Sequence, residues 1–118
     1  DTIEPGEDFV TAIETALSKC KVMIVVVGKQ WMTISDSSGR RRIDDPNDFV
    51  RLEVAAALER SIITIPVLVE DTQMPHAGSL PDSLKSLARR NAIQLSAFNF
   101  QRDVGKLVKA LERILSTS

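Results

Sequence analysis

Apolar residues recur at three- and four-residue intervals over residues 8–19, where Phe9, Ala12, Ile13, Ala16, Leu17 and Cys20 share one face. That spacing predicts an amphipathic helix. Residues 22–27 then run as an unbroken apolar, mostly β-branched stretch, VMIVVV, closed by Gly28. Strands buried on both faces of a parallel sheet have this pattern. A second helical pattern occupies 48–58 (DFVRLEVAAAL), and a second buried-strand pattern occupies 62–69 (IITIPVLV). Leu84, Leu87 and Ala88 mark a short helix over 81–90, and 92–95 (AIQL) is a short third strand. The chain closes with a regular stripe of Phe100, Val104, Leu107, Val108, Leu111, Ile114 and Leu115, with Lys106, Lys109 and Arg113 off it. This predicts a helix over 100–115.

The order is helix, strand, helix, strand, helix, strand, helix. Alternation of this kind implies right-handed crossovers and a parallel sheet with helices on both faces, an α/β fold. Three strands make a thin sheet, since about five or six are usual. The chain also opens on a turn, Ile3-Glu4-Pro5-Gly6-Glu7, rather than on a strand. The pattern reads as a domain without its beginning.

The 48–58 helix is apolar nearly all round, which predicts burial, yet it carries Glu53 in its middle. A carboxylate withdrawn from water is costly unless something pairs with it, so Glu53 is a site candidate on physical grounds. The alternative places Glu53 on a solvated stripe with Arg51 and Arg60. Trp31, just past the end of the 22–27 strand, is either a core or rim aromatic or the wall of a pocket, because ligands of open α/β sheets bind beyond the carboxyl ends of the strands.

Composition narrows the function classes. The chain has 118 residues, 43% of them hydrophobic, and a net charge of −1. That is one domain with a sizeable core and no electrostatic footprint for nucleic acid. No apolar run approaches the length of a membrane span, about 18 residues, and no signal peptide is apparent. Cys20 is the single cysteine. It forms no intramolecular disulfide and no thiolate metal cluster, and its place at the end of a helical stripe suggests a small core hydrophobe. These features suit a cytoplasmic protein. His76, the single histidine, lies between Pro75 and Ala77 in a loop, and an exposed, idle imidazole is expected there.

The remaining signals sit in loops. Residues 35–47 (SDSSGRRRIDDPN) form the longest loop, and Arg40, Arg41 and Arg42 in it either meet a phosphate or belong to a solvated surface. Asp45 and Pro46 suit the start of the following helix as cap and first-turn proline. Pro66 is awkward inside a strand, because proline cannot donate to a ladder, so a local irregularity is expected there.

Together these residues resemble a TIR (Toll/interleukin-receptor) domain of the bacterial type. The matches are Glu4-Pro5-Gly6 at the position of the BB-loop Pro-Gly, the strand KVMIVVVG, the helix DFVRLEVAAAL, the strand IITIPVLV with its proline, and Phe98-Asn99-Phe100 as a loose counterpart of the Phe-Trp box. The resemblance spans essentially the whole chain, 1–118. It implies a flavodoxin-like parallel sheet of five strands, of which this sequence holds three. The first strand, first helix and second strand, roughly 40 residues of a typical domain, are not in it. The 22–27 strand would then present an apolar edge.

The resemblance also implies a chemistry. Many such domains cleave the nicotinamide–ribose bond of NAD⁺, giving nicotinamide and ADP-ribose or a cyclic variant. Their catalytic glutamate lies in a helix motif of an aromatic, Val, two residues and Glu. Phe49-Val50-Arg51-Leu52-Glu53 fits position by position, with Phe49 where Trp is common. On this resemblance Glu53 is catalytic and Trp31, Phe49, Glu4 and Gly6 are substrate-binding. Glu4, Pro5 and Gly6 form the BB-loop contact through which other TIR domains, as self-association partners, assemble with this one. NAD⁺ is a substrate; no cofactor and no metal is implied. The competing reading is a non-enzymatic TIR adaptor acting through TIR–TIR contacts, which often lacks the glutamate. A response-regulator receiver would show an acidic phosphoacceptor at a strand end, and Val27-Gly28-Lys29 has none. A flavodoxin would show a hydroxyl-rich phosphate loop, and none is visible here.

Overall fold

The computed structural model describes Gly6 and residues 8–116. Its strands are β1 (Val22–Val27), β2 (Ile63–Leu68) and β3 (Ile93–Gln94), and its α-helices are α1 (Phe9–Leu17), α2 (Phe49–Glu59) and α3 (Phe100–Ser116). The three strands form one parallel sheet in the order β1-β2-β3. The α/β reading, its three strands and its parallel pairing all hold. The helix expected over 81–90 is a 3-10 segment, Asp82–Arg89.

The helix ends follow from local chemistry. Asp8 caps α1 and Asp48 caps α2, each accepting a bond from a backbone amide of the first turn (Val10, 3.4 Å; Arg51, 3.0 Å). Asp45, the expected cap, instead accepts from the Asn47 amide and closes the preceding turn. At the other end of α2, the Ser61 amide donates to the Leu58 carbonyl and the Ile62 amide to that of Ala57. This Schellman closure needs a left-handed residue, and Ser61 supplies it at φ 58° in place of glycine.

β1 and β2 pair without interruption from Val22↔Ile63 to Val27↔Leu68, so the irregularity expected at Pro66 is absent. The reason lies in which way residue 66 faces. The Val69 amide donates to the Val27 carbonyl, and the Leu95 amide to the Leu68 carbonyl. Main-chain groups of successive strand residues point to opposite sides, so residues 63, 65 and 67 bond toward β1 while 64, 66 and 68 face β3. Pairing with β3 begins only at Val67↔Ile93. Pro66 therefore takes no donor from any ladder bond.

The main core lies between the sheet and α2. Val25 and Val27 of β1, Leu68 of β2, Val54 and Leu58 of α2, and Ile43, Leu80, Leu84 and Leu87 form one buried cluster. A second cluster, Ile13, Leu17 and Ala57, joins α1 to α2. On its other face β1 is open: Val26 is 60% exposed and Ile24 41%, whereas Ile65 and Val67, their partners in β2, are buried. By the same alternation, the backbone groups of Val22, Ile24 and Val26 point away from β2, and β1 has no second neighbour among the described residues.

Cys20 corrects the sequence reading. It lies past the end of α1 and is exposed, because the helix stops at Leu17 and the chain turns through Ser18 and Lys19 before β1. Phe98 and Phe100 are exposed too, Phe98 at 96%, so this counterpart of the Phe-Trp box contributes nothing to the core.

α3 packs chiefly on β3, and Asp103 fastens the joint. Its buried carboxylate accepts from the backbone amide and the hydroxyl of Ser96, both at 2.9 Å. These bonds, with smaller contributions from Arg102 and Lys106, hold the Asp103 carboxyl below the ordinary carboxylate range despite the opposing effect of burial. A depressed folded value means that the stabilisation is full above the unfolded carboxyl value, about 3.9. It is lost as pH falls through the folded one. Acid titration followed by circular dichroism should show helix loss on that limb, and Asp103→Asn should flatten the limb.

Candidate functional site

The cavity of interest is a trough of about 430 Å³ along the open side of β1, lined by Cys20, residues 22–26, Trp31, Val50, Glu53 and Val54. Two elements build it. β1 supplies the apolar floor. α2 lies alongside and turns Val50, Glu53 and Val54, spaced i, i+3 and i+4, toward the trough. Trp31 closes it near the carboxyl end of β1, held by the turn in which its amide donates to the Gly28 carbonyl (3.2 Å).

Glu53 is half-buried and is the one acidic residue of this lining. Arg51 and Arg60 are turned elsewhere: Arg51 donates to the Ile43 carbonyl (3.2 Å), and Arg60 pairs with Glu14 (3.8 Å). Neither arginine pairs with Glu53. Its carboxylate makes no hydrogen bond or ion pair with any described residue.

The structure brings Glu53 and Trp31 to one cavity but not Phe49. That ring packs with Leu52, Ala56 and Ile62 against the Ile13, Leu17 and Ala57 cluster between α1 and α2. Val50, one position on, takes the wall beside Trp31. The signal for Val50 was present in its three-residue spacing from Glu53. Gly6 is exposed with φ 84°, a left-handed conformation that favours glycine. Glu4 and Pro5 lie outside the described residues.

A second cavity of about 110 Å³ adjoins the first and shares Trp31 and Val50 with it; Ile34, Arg42, Ile43 and Asp48 complete the lining. It is built by the 35–47 loop, which is more ordered than its composition suggests. Asp36 Oδ1 accepts from the amides of Ser38 (2.9 Å) and Arg40 (3.1 Å) and from the Ser38 hydroxyl (2.7 Å). The Ser38 hydroxyl leads the influences that hold the Asp36 carboxyl below its usual range. Arg41 makes a two-bond fork to Asp44, at 2.8 and 3.0 Å, and reaches the carbonyls of Ser79 (3.1 Å) and Met32 (3.4 Å). It thereby ties this loop to the chain after β2.

Among the described residues no group of three or more His, Cys, Asp or Glu is placed to hold a metal ion, and no helix is long and apolar enough to cross a membrane. His76 is exposed.

The sequence profile of the TIR-domain family matches residues 1–108. The chain belongs to the TIR family. Its parallel α/β sheet is accordingly flavodoxin-like, and TIR membership makes it a signalling domain of immune type for which contacts with other TIR domains are the characteristic association. A search of curated proteins finds no match to the chain. The TIR helix that carries Glu53 lies within the matched segment, as do Trp31 and the 35–47 loop.

Proposed function

We propose that this TIR domain hydrolyses the nicotinamide–ribose bond of NAD⁺, with Glu53 as the catalytic carboxylate and activity dependent on self-association. The observation that carries the reading is the half-buried Glu53 carboxylate, which has no partner among the described residues and lines a largely apolar cavity beside Trp31. Such a group makes no polar contact there that would explain it as part of the fold, and a few polar groups set in an apolar pocket are what orient a bound ligand.

The chemistry needs few groups. Nicotinamide leaves neutral with the bonding electron pair, so no acid has to protonate it. The ribose carbon becomes oxocarbenium-like, and the Glu53 charge stabilises it while the carboxylate accepts bonds from the ribose hydroxyls. Water then adds to that carbon and releases a proton, giving ADP-ribose; attack by an adenine nitrogen gives a cyclic product instead. The open edge of β1 is the place for a further strand, which would close the trough along β1 and leave its end at Trp31, Val50 and Glu53 accessible. Trp31 would then flank the substrate.

The test is chromatographic detection of nicotinamide released from NAD⁺ by the full-length protein under assembling conditions. Release supports the enzyme; none under any such condition leaves an adaptor acting through TIR–TIR contacts. The Gly6 loop gives a second handle. Gly6 sits at φ 84°, and proline is fixed near −65°. Gly6→Pro should therefore rebuild the loop and lower nicotinamide release several-fold at matched protein concentration, with an unchanged circular dichroism spectrum. Unchanged release would remove this loop from the mechanism.

A further inference from the structure

Three consecutive arginines occupy the 35–47 loop, and the structure separates them. Arg40 faces Asp36 and Asp45 at 3.8 and 3.7 Å. Arg41 is consumed by its fork to Asp44 and its two carbonyl contacts. The Arg42 guanidinium has no partner among the described residues, although its backbone is pinned from both directions: its amide donates to the Ile34 carbonyl (2.9 Å), and its carbonyl accepts from the Asp45 amide (3.0 Å). Arg42 lines the smaller cavity together with Trp31 and Val50, the two residues shared with the cavity that holds Glu53.

The geometry points to Arg42 as the residue that receives the phosphate-bearing part of the substrate. This rests on the reading of the Glu53 cavity as the ribose site. Asp48, the cap of α2, and Glu53 are five residues apart, about 7.5 Å along the helix axis, and the two cavities share Trp31 and Val50. A ribose at Glu53 would thus carry its 5′-phosphoester toward the Arg42 side. A planar guanidinium whose fork is free suits two phosphate oxygens. Asp48 lines the same cavity and keeps its charge while its Oδ2 accepts from the Arg51 amide, so Arg42, the cationic residue of this lining, is the group there that an anion can pair with. Arg41 is a positioning residue, since it holds the loop that presents Arg42. The ligand class is therefore a nucleotide with an esterified phosphate on the ribose 5′ carbon, rather than the free nucleoside.

The experiment uses the full-length protein and two readouts. The first is direct binding of ADP-ribose, followed by isothermal titration, in wild type, Arg42→Gln, Arg42→Lys and Arg40→Gln. Arg42→Gln should weaken binding about tenfold or more, the usual worth of a bond to a charged group. Arg42→Lys should fall between, and Arg40→Gln, which removes the same charge from the same loop, should change it less than twofold. The second readout is turnover: Arg42→Gln should raise KM for NAD⁺ by a similar factor, and its deficit should vanish on nicotinamide riboside, which has no phosphate. Equal effects of Arg42→Gln and Arg40→Gln, equal ADP-ribose affinity in Arg42→Gln and wild type, or no ADP-ribose binding by wild type would each overturn the assignment. Wild-type binding that depends on Arg42 without any NAD⁺ turnover would support this assignment while removing the hydrolase reading, so the two fail separately.

Discussion

Glu53→Gln is expected to lower nicotinamide release from NAD⁺ by about 10²–10³-fold, the usual loss when a group that stabilises transition-state charge is neutralised. Glutamine keeps the shape and one acceptor oxygen, so the ground-state contact with the ribose hydroxyls survives and NAD⁺ affinity should hold. Only the charge that opposes the developing positive carbon is gone, and the loss should therefore appear in kcat. Stability should stay level or rise slightly, because the carboxylate has no partner among the described residues to lose and its half-burial opposes folding. Steady-state kinetics of the full-length protein, with unfolding curves of both variants, decide the matter. Equal kcat in wild type and variant would make Glu53 a structural residue.

The largest loss of stability is expected from Leu84→Ala. Leu84 and Leu87 are completely buried and lie on the Asp82–Arg89 3-10 segment, whose three-residue turn stacks positions three apart. Both therefore enter the core beside Val54 and Leu58 of α2 and Val27 of β1. Truncating a leucine in such a place costs about 2–5 kcal/mol, against about 5–15 kcal/mol for a whole domain. Urea unfolding should show a large fall in the midpoint for Leu84→Ala. Val108→Ala, at a position 47% exposed, should move it little. Comparable shifts would mean that the 3-10 segment does not anchor the core.

Much of the fold was legible because the strongly patterned segments carry their environment in their composition. Residues 22–27 and 62–69 have the nearly unbroken apolar pattern of strands in a parallel sheet, even though Ile24 and Val26 remain exposed on β1. What the pattern missed was local. The end of α2 was placed within one residue, but the left-handed serine that makes it, Ser61 in place of glycine, was not foreseen. Pro66 looked disruptive because direction within a ladder cannot be read until the register is known. Cys20 continued a helical spacing that the backbone had already abandoned at Leu17. In the site, Glu53 and Trp31 were visible as an isolated acid and an aromatic after a strand. Phe49 was assigned to the same pocket by motif, but the helix rotates it toward α1. The Arg42 guanidinium, unpaired among the described residues, could not be told from Arg40 and Arg41 in the sequence, since the difference lies in which aspartates and carbonyls fold back onto each.

The brevity of β3 bears on the order in which the molecule comes apart. β3 spans only Ile93–Gln94 and joins the sheet through two residue pairs. α3 rests mainly on β3 and on the Asp103–Ser96 bonds, whereas β1, β2 and α2 share a ladder of six pairs and the main core. The C-terminal strand and helix are thus expected to be the first cooperative unit to open, and amide exchange from Ile93 onward should proceed through partial openings that leave the Glu53 cavity assembled.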